Sequence, residues 1–370
     1  MRAGRPRQLL PGLQICSGLY LWAAFIVVFG IWQPKLFLTS ATLHSVASSQ
    51  AISAMLALAL LIPLTAGVYD LSVGAVINLS TITVVNMQTS HHFGMWKATV
   101  ITVVVCATVG LVSGFIVVVL KVNSFVATLG MATIVTAVQS IISGQSQPVP
   151  PTQRAWGQLT QRQVFGFQIV VVYLIVLALI VWWVLDHTPA GRYLYAIGGN
   201  AEAARLTGIG VGRWSWLTLI ASSTIAGIAG IFYGSLSGPS LTFGAGLLLP
   251  AFAAVFLGST QLKPGRYNVW GTLMAVYVLA TGVQGLQFVT GVQWLNQMFN
   301  GVALIAAVSF AVWRQSRGTS RPESKSSRPS VADGSNDTVT SMPDPDGLVA
   351  PENAATMALS PVSSEAARNA

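Results

Sequence analysis

Charge is what this sequence has least of. Only 8% of its 370 residues are Asp, Glu, Lys or Arg, against 53% hydrophobic, where a soluble domain carries about 25% charged residues. So little charge cannot cover a water-exposed surface. With a mean hydropathy of +0.66, the natural class is an all-α polytopic membrane protein. Acidic side chains are scarcer still: before position 314 there are three, Asp70, Asp186 and Glu202, and the other seven of ten lie in the C-terminal tail. The two cysteines, Cys16 and Cys106, sit in or beside apolar runs, which excludes a disulfide framework and any metal spacing. No GxxxxGK[ST] phosphate loop, no His-Glu-x-x-His, no paired carboxylates in the apolar runs and no nucleophile elbow occur, so an enzymatic role has no residues to carry it. GIGVG at 208–212 lacks the GxGxxG spacing and the strand–helix context of a dinucleotide site.

What is present is a series of apolar runs. A span needs about 20 residues to cross about 30 Å of hydrocarbon. Ten segments qualify: 17–33, 50–67, 72–89, 97–120, 124–143, 167–186, 213–236, 245–260, 268–289 and 294–313, with 50–90 the least certain in count. Pro63 and Pro250 interrupt two of them, as is tolerated where backbone is buried in protein or lines a cavity. Arg2, Arg5 and Arg7 before Leu19–Trp32 resemble a signal peptide, but without a clean cleavage site the run reads as the first span.

The net charge of +9 comes from basic residues spread between these runs, not from a stripe that would bind nucleic acid. Topology accounts for them. Ten spans put Arg2, Arg5, Arg7, Lys121, Arg192, Arg205, Arg213, Lys263, Arg266, Arg314 and Arg317 on one side and only Lys35, Lys97, Arg154 and Arg162 on the other, eleven against four. The positive-inside rule then places both termini in the cytoplasm. The chain divides into a cytoplasmic N-terminus over 1–16, a transmembrane domain over 17–317, and a tail over 318–370. The tail, rich in Ser, Pro, Asp and Asn, cannot offset chain entropy by burial and reads as disordered and cytoplasmic.

Several polar features stand against this apolar background. The outer connector Gly144–Gly166 is long, and reads as a docking surface or merely a long loop. His44, His91 and His92 lie near outer span ends, where interfacial packing is the simpler role. Gly110 with Gly114 and Gly230 with Gly234 form GxxxG pairs that would let helices approach closely, or occur by chance. Asp70 in GVYDLSVG is the one acidic group within reach of the span interiors. It reads either as part of a broken helix near a translocation path or as a cap for the helix beginning near Ser72. Asp70, Ser72, Asn78, Gln139 and Gln284 are the candidates for a substrate path, chosen for polarity inside or beside spans.

The densest polar island is Thr188 to Val211, TPAGRYLYAIGGNAEAARLTGIGV, within a connector over 187–212. Pro189 and Gly191 are expected to end the sixth span. Asn200 is a good N-cap, Glu202 lies in the first turn, Ala201 to Leu206 are strong helix formers, and Gly208 is a stop. The result is a short cytoplasmic helix whose Ala203 and Ala204 offer a small, close-approach surface.

TPAGRYLYAIGGNAEAARLTGI closely resembles the coupling loop of bacterial ATP-binding cassette (ABC) importer permeases of the ribose/xylose/galactose type, with matches at Gly191, Arg192, Ala196 to Asn200, Ala203 to Leu206, Gly208 and Ile209. GVYDLSVGAVINLS (67–80), NSFVATLGMATI (123–134) and AFAAVFLGST (251–260) are similar to further segments of that family. Val68 departs from a Gly, Pro250 stands where an acidic residue is common, and Ser259 replaces a Gly.

The resemblance implies a non-catalytic permease in the bacterial cell membrane. It would pair with a second permease subunit, identical or different, and receive sugar from an extracellular or periplasmic binding protein. It would engage a cytoplasmic ATPase through Gly191, Arg192, Gly198, Gly199, Asn200, Glu202, Ala203, Ala204, Arg205 and Gly208. No cofactor is expected on this chain, since ATP and Mg belong to the partner. A stand-alone secondary transporter or channel is the alternative, and which solute is carried is not readable from these motifs.

Overall fold

A computed structural model describes residues 17–164, 166–292 and 294–318, all within one compact unit. The expected N-terminal segment 1–16 and the tail beyond Gly318 lie outside the described residues. The elements are, in order, α1 (Ser17–Trp32), α2 (Pro34–Phe37), α3 (Ser40–Thr65), α4 (Val73–Thr89), α5 (Met95–Val118), α6 (Ser124–Ser143), α7 (Arg154–Gln161), β1 (Gln163–Val164), β2 (Phe167–Gln168), α8 (Ile169–His187), α9 (Pro189–Gly199), α10 (Ala201–Leu206), α11 (Val211–Leu236), α12 (Phe243–Gly258), α13 (Val269–Thr290) and α14 (Trp294–Gly318). The strands form a two-residue antiparallel ribbon, Gln163 opposite Gln168 and Val164 opposite Phe167.

A helix covers each of the ten apolar segments. Six of them, α3, α5, α6, α8, α11 and α13, are long and apolar enough to cross a membrane by length and composition. Of the rest, α1 and α12 are apolar but shorter. α4 has 17 residues and carries Asn78, Asn86 and Gln88 among its apolar ones.

The connectors gather at two ends. At one end the Gly18 N–H donates to Gln261 Oε1 (2.7 Å), Tyr69 N–H to Ser124 Oγ (3.2 Å), and Lys263 pairs with Asp186 (2.7 Å). At the other, Gln147 Nε2 donates to the Pro239 carbonyl, Asn86 Nδ2 to the Ile142 carbonyl (2.8 Å), and the His44 ring meets Phe167 edge-on at 4.4 Å.

α4 lies at the centre and is buried from Val73 through Val85. A helix buried on all sides needs no polar face. It packs on α11 through small residues: a Cβ on Gly230 would stand 2.5 Å from the Ile77 carbonyl oxygen. α5 meets α11 the same way at Gly110, where a Cβ would come within 2.6 Å of the Leu219 carbonyl oxygen. Both GxxxG pairs therefore begin at a close backbone approach. That proximity lets Ser80 Oγ donate to the Gly227 carbonyl (2.5 Å) and Thr81 Oγ1 to the Ile77 and Gly230 carbonyls (2.8 and 3.1 Å).

Forcing a side chain into the α4–α11 contact should cost about 1–3 kcal/mol, the usual overpacking range. Gly230→Leu is expected to lower the melting temperature in detergent by several degrees. Gly130→Leu, at a glycine with open space around it, should leave it unchanged. Equal melting of the two variants would contradict the assigned contact.

Candidate functional site

The polar island after α8 folds into two helices where the sequence promised one. α8 stops at His187, Thr188 is extended (φ −105°, ψ 161°), and Pro189 then opens α9 at its first turn. Proline suits this place because the missing N–H would have no partner there. Pro189 thus starts a helix and does not merely end a span. Gly191, Leu194 and Ile197 form the buried side of α9. A Cβ on Gly191 would collide with the Leu185 carbonyl oxygen, so only glycine lets α9 fold back against the end of α8. At the far end Gly198 lies against the Thr65 carbonyl oxygen at the end of α3, where a Cβ would again collide.

Asn200 joins the two helices. It is extended (φ −160°, ψ 102°), and its Oδ1 accepts the Ala203 N–H at 2.9 Å, making it the N-cap of α10. α10 ends in a Schellman arrangement: the Gly208 N–H donates to the Arg205 carbonyl (3.0 Å) and the Ile209 N–H to the Ala204 carbonyl (3.1 Å), with Gly208 at φ +85°. Arg205 and Glu202 pair at 3.6 Å on the surface, both well exposed, a geometry that adds little stability.

Ala204 differs from expectation. It is 4% exposed and packs into the main hydrophobic cluster, so it seats α10 and cannot offer an outer surface. Helical rotation explains this: one side of a six-residue helix must face the body, and Ala204 holds that side. The outward side carries Ala203, Glu202, Arg205 and Leu206, and Leu206 is 83% exposed.

Beside this pair is a cleft of about 1140 Å³, lined by Thr65, Gly67, Tyr69, Arg192, Tyr195, Gly198, Gly199, Arg266 and Tyr267 among others. The Arg266 guanidinium stacks on the Tyr195 ring at 3.7 Å, and Tyr195 OH donates to the Tyr267 carbonyl at 2.6 Å. Burial pushes the Tyr267 phenol up to about 12, and burial also raises that of Tyr195, partly opposed by the Arg266 charge. The Tyr195 hydroxyl thus ties α9 to the backbone of the α12–α13 connector.

The five residues chosen for a solute path occupy different surroundings. Asn78 Oδ1 accepts the Gly244 N–H (2.7 Å), and Gln139 Nε2 donates to the Leu241 carbonyl (3.1 Å). Both amides therefore pin the start of α12. Ser72 donates to Asp70 Oδ1 through its N–H (3.0 Å) and its hydroxyl (2.6 Å), so Asp70 caps the chain just ahead of α4. Gln284 lies half-buried on α13. None of the five lines this cleft or a second cleft, which α7 borders.

Residues 42–308 match the family described as branched-chain amino acid transport system, permease component. The chain belongs to this permease family. It is 30% identical to the ribose import permease of Escherichia coli K12 over 281 residues, 74% of this chain and 86% of that one. It is 30% identical to the L-arabinose transport system permease of Escherichia coli K12 over 302 residues, 80% and 90% of the two chains. It is 29% identical to the fructose import permease of Rhizobium meliloti over 300 residues, 78% and 82%. No solved structure matches.

These relatives are permease components, and the permease is accordingly a multi-pass membrane protein with a non-catalytic role. Leu206 was overlooked as a site residue in the sequence. Its signal is a large apolar side chain beside Arg205 at the end of the short Ala-rich helix.

Asn200→Ala removes the α10 cap and should cost about 1 kcal/mol locally. Hydrogen exchange at the Ala203 amide is expected to accelerate about fivefold, with the spans unaffected. An unchanged Ala203 rate would show that the cap bond does not hold α10.

Proposed function

We propose that this permease is the membrane subunit of an ABC importer that passes a sugar inward, driven by a separate cytoplasmic ATPase. The observation that carries the reading is Leu206, 83% exposed on a short helix seated by Ala204, capped by Asn200 and stopped by Gly208. A large apolar side chain presented on a rigid, polar, non-membrane surface fits a partner's groove. Nothing in this chain supplies a phosphate loop, so the energy source is the partner, which holds the ATP and Mg.

The rest of the assembly follows the same reading. Helices over ten apolar segments, with connectors gathered at two ends, support ten spans and both termini on the cytoplasmic side, where the basic residues concentrate. A second permease subunit completes the solute path. At the other end α7 borders a cleft of about 820 Å³ lined by Gln153, Arg154, Gln158, Gln161, Arg162 and Ser237, a polar surface suited to a solute-binding protein. The sugar class rests on the ribose, arabinose and fructose permeases to which the chain is similar. A stand-alone ion-coupled transporter would need an ionisable group in its path, and Asp70 is 0% exposed.

Uptake into proteoliposomes should require the partner ATPase and hydrolysable ATP. Leu206→Asp is expected to lower ATPase capture at least about tenfold, the scale of an interface anchor, with the permease still folded. Robust uptake by the permease alone would overturn the reading.

A further inference from the structure

The residues between α3 and α4 meet four other parts of the molecule. α3 closes with a Schellman turn: the Gly67 N–H donates to the Leu64 carbonyl and the Val68 N–H to the Pro63 carbonyl, both at 3.0 Å, with Gly67 at φ +72°. α9 rests on this turn through bare backbone, since a Cβ on Gly67 would stand 3.7 Å from Gly198 Cα. α6 holds it from the side, Ser124 Oγ accepting the Tyr69 N–H (3.2 Å) and Thr128 Oγ1 accepting the Leu71 N–H (3.0 Å). Asp70 ties it to the start of α4 through Ser72.

Asp70 has a further oxygen. Oδ2 is buried with no hydrogen bond within 3.5 Å, and so is the hydroxyl of its neighbour Ser222 on α11. Neither is exposed to solvent. Two buried polar groups, one an acceptor and one a donor, each forfeit a bond that the other supplies. Such a pair marks a contact that a small displacement completes.

We propose that the Gly67–Ser72 turn is the transmission joint of this permease, and that Asp70 is its positioning residue. Displacement of α9 at Gly198 moves the turn, and Asp70 carries that movement to α4 and, by closing the Asp70–Ser222 hydrogen bond, to α11. The inference rests on α9–α10 being the ATPase-coupled element. It adds the path by which a push at the surface reaches the two central helices.

The test uses the whole complex, permease with its ATPase and binding protein, in proteoliposomes. Radiolabelled ribose, L-arabinose, fructose and leucine serve as probes, and the readout is ATP hydrolysed per solute moved. A purely structural defect lowers hydrolysis and uptake together and leaves that ratio fixed. Asp70→Ala is expected to raise the ratio about fivefold or more, the effect of one lost buried hydrogen bond. Asp70→Asn keeps the acceptor for Ser72 and can donate its amide N–H to the Ser222 hydroxyl oxygen, so it should stay within about twofold of wild type on the same scale. Should Asp70→Ala fail to assemble, Ser222→Ala decides, because it removes a single oxygen and is expected to raise the ratio as well. A wild-type ratio in the assembled alanine variants overturns the joint. A wild-type complex with no ATP-dependent uptake of any probe instead removes the ATPase reading beneath it, and that control tells the two failures apart.

Discussion

The contact between the end of α9 and the end of α3 is the constraint on which the rest depends. It is made by backbone alone, because Gly198 lies on the Thr65 carbonyl and any side chain there would collide. Backbone in direct contact with backbone transmits displacement with little slack, since no rotatable side chain lies between. Gly191 repeats the arrangement at the other end of α9, against Leu185. α9 is therefore fixed at both ends to spanning helices, and α10 joins it through one capped residue, Asn200, and is seated on the body by Ala204. The surface that carries Leu206 is not a loose loop, although it lies in a connector.

A second physical theme runs through the interior. Helices buried from water must satisfy their polar side chains within the protein. Ser80 and Thr81 bond to carbonyls of α11, Asn78 and Gln139 to the backbone at the start of α12, and Asn268 Oδ1 accepts the Gly271 N–H at 2.7 Å as the cap of α13. These bonds fix how neighbouring helices register. They also explain why polar residues inside spans are poor guides to a solute path, because most are already spent on structure.

Much of the architecture was legible in the residues. Apolar run length located a helix at each of the ten segments, and Asn200 and Gly208 announced both ends of α10. Other features were hidden for definite reasons. Pro189 is read equally well as a helix stop or a helix start, and only the extended Thr188 before it decides. Ala203 and Ala204 are chemically identical, so composition cannot say which faces inward. Asn78 and Gln139 looked like path residues because sequence shows polarity but not the carbonyl or amide each one meets. The role of Gly67 depends on a contact with Gly198, 131 positions away, which no local pattern encodes.

The central claim is that the outward side of α10 is the surface gripped by the ATPase. Site-directed cross-linking tests it most directly. Leu206→Cys, carrying a short photoactivatable cross-linker in membranes that contain the full transporter, is expected to give a covalent adduct with the ATPase subunit that changes in yield between the nucleotide-free and ATP-bound states. An adduct formed instead with lipid or with the solute-binding protein, and none with the ATPase in either state, would contradict the account.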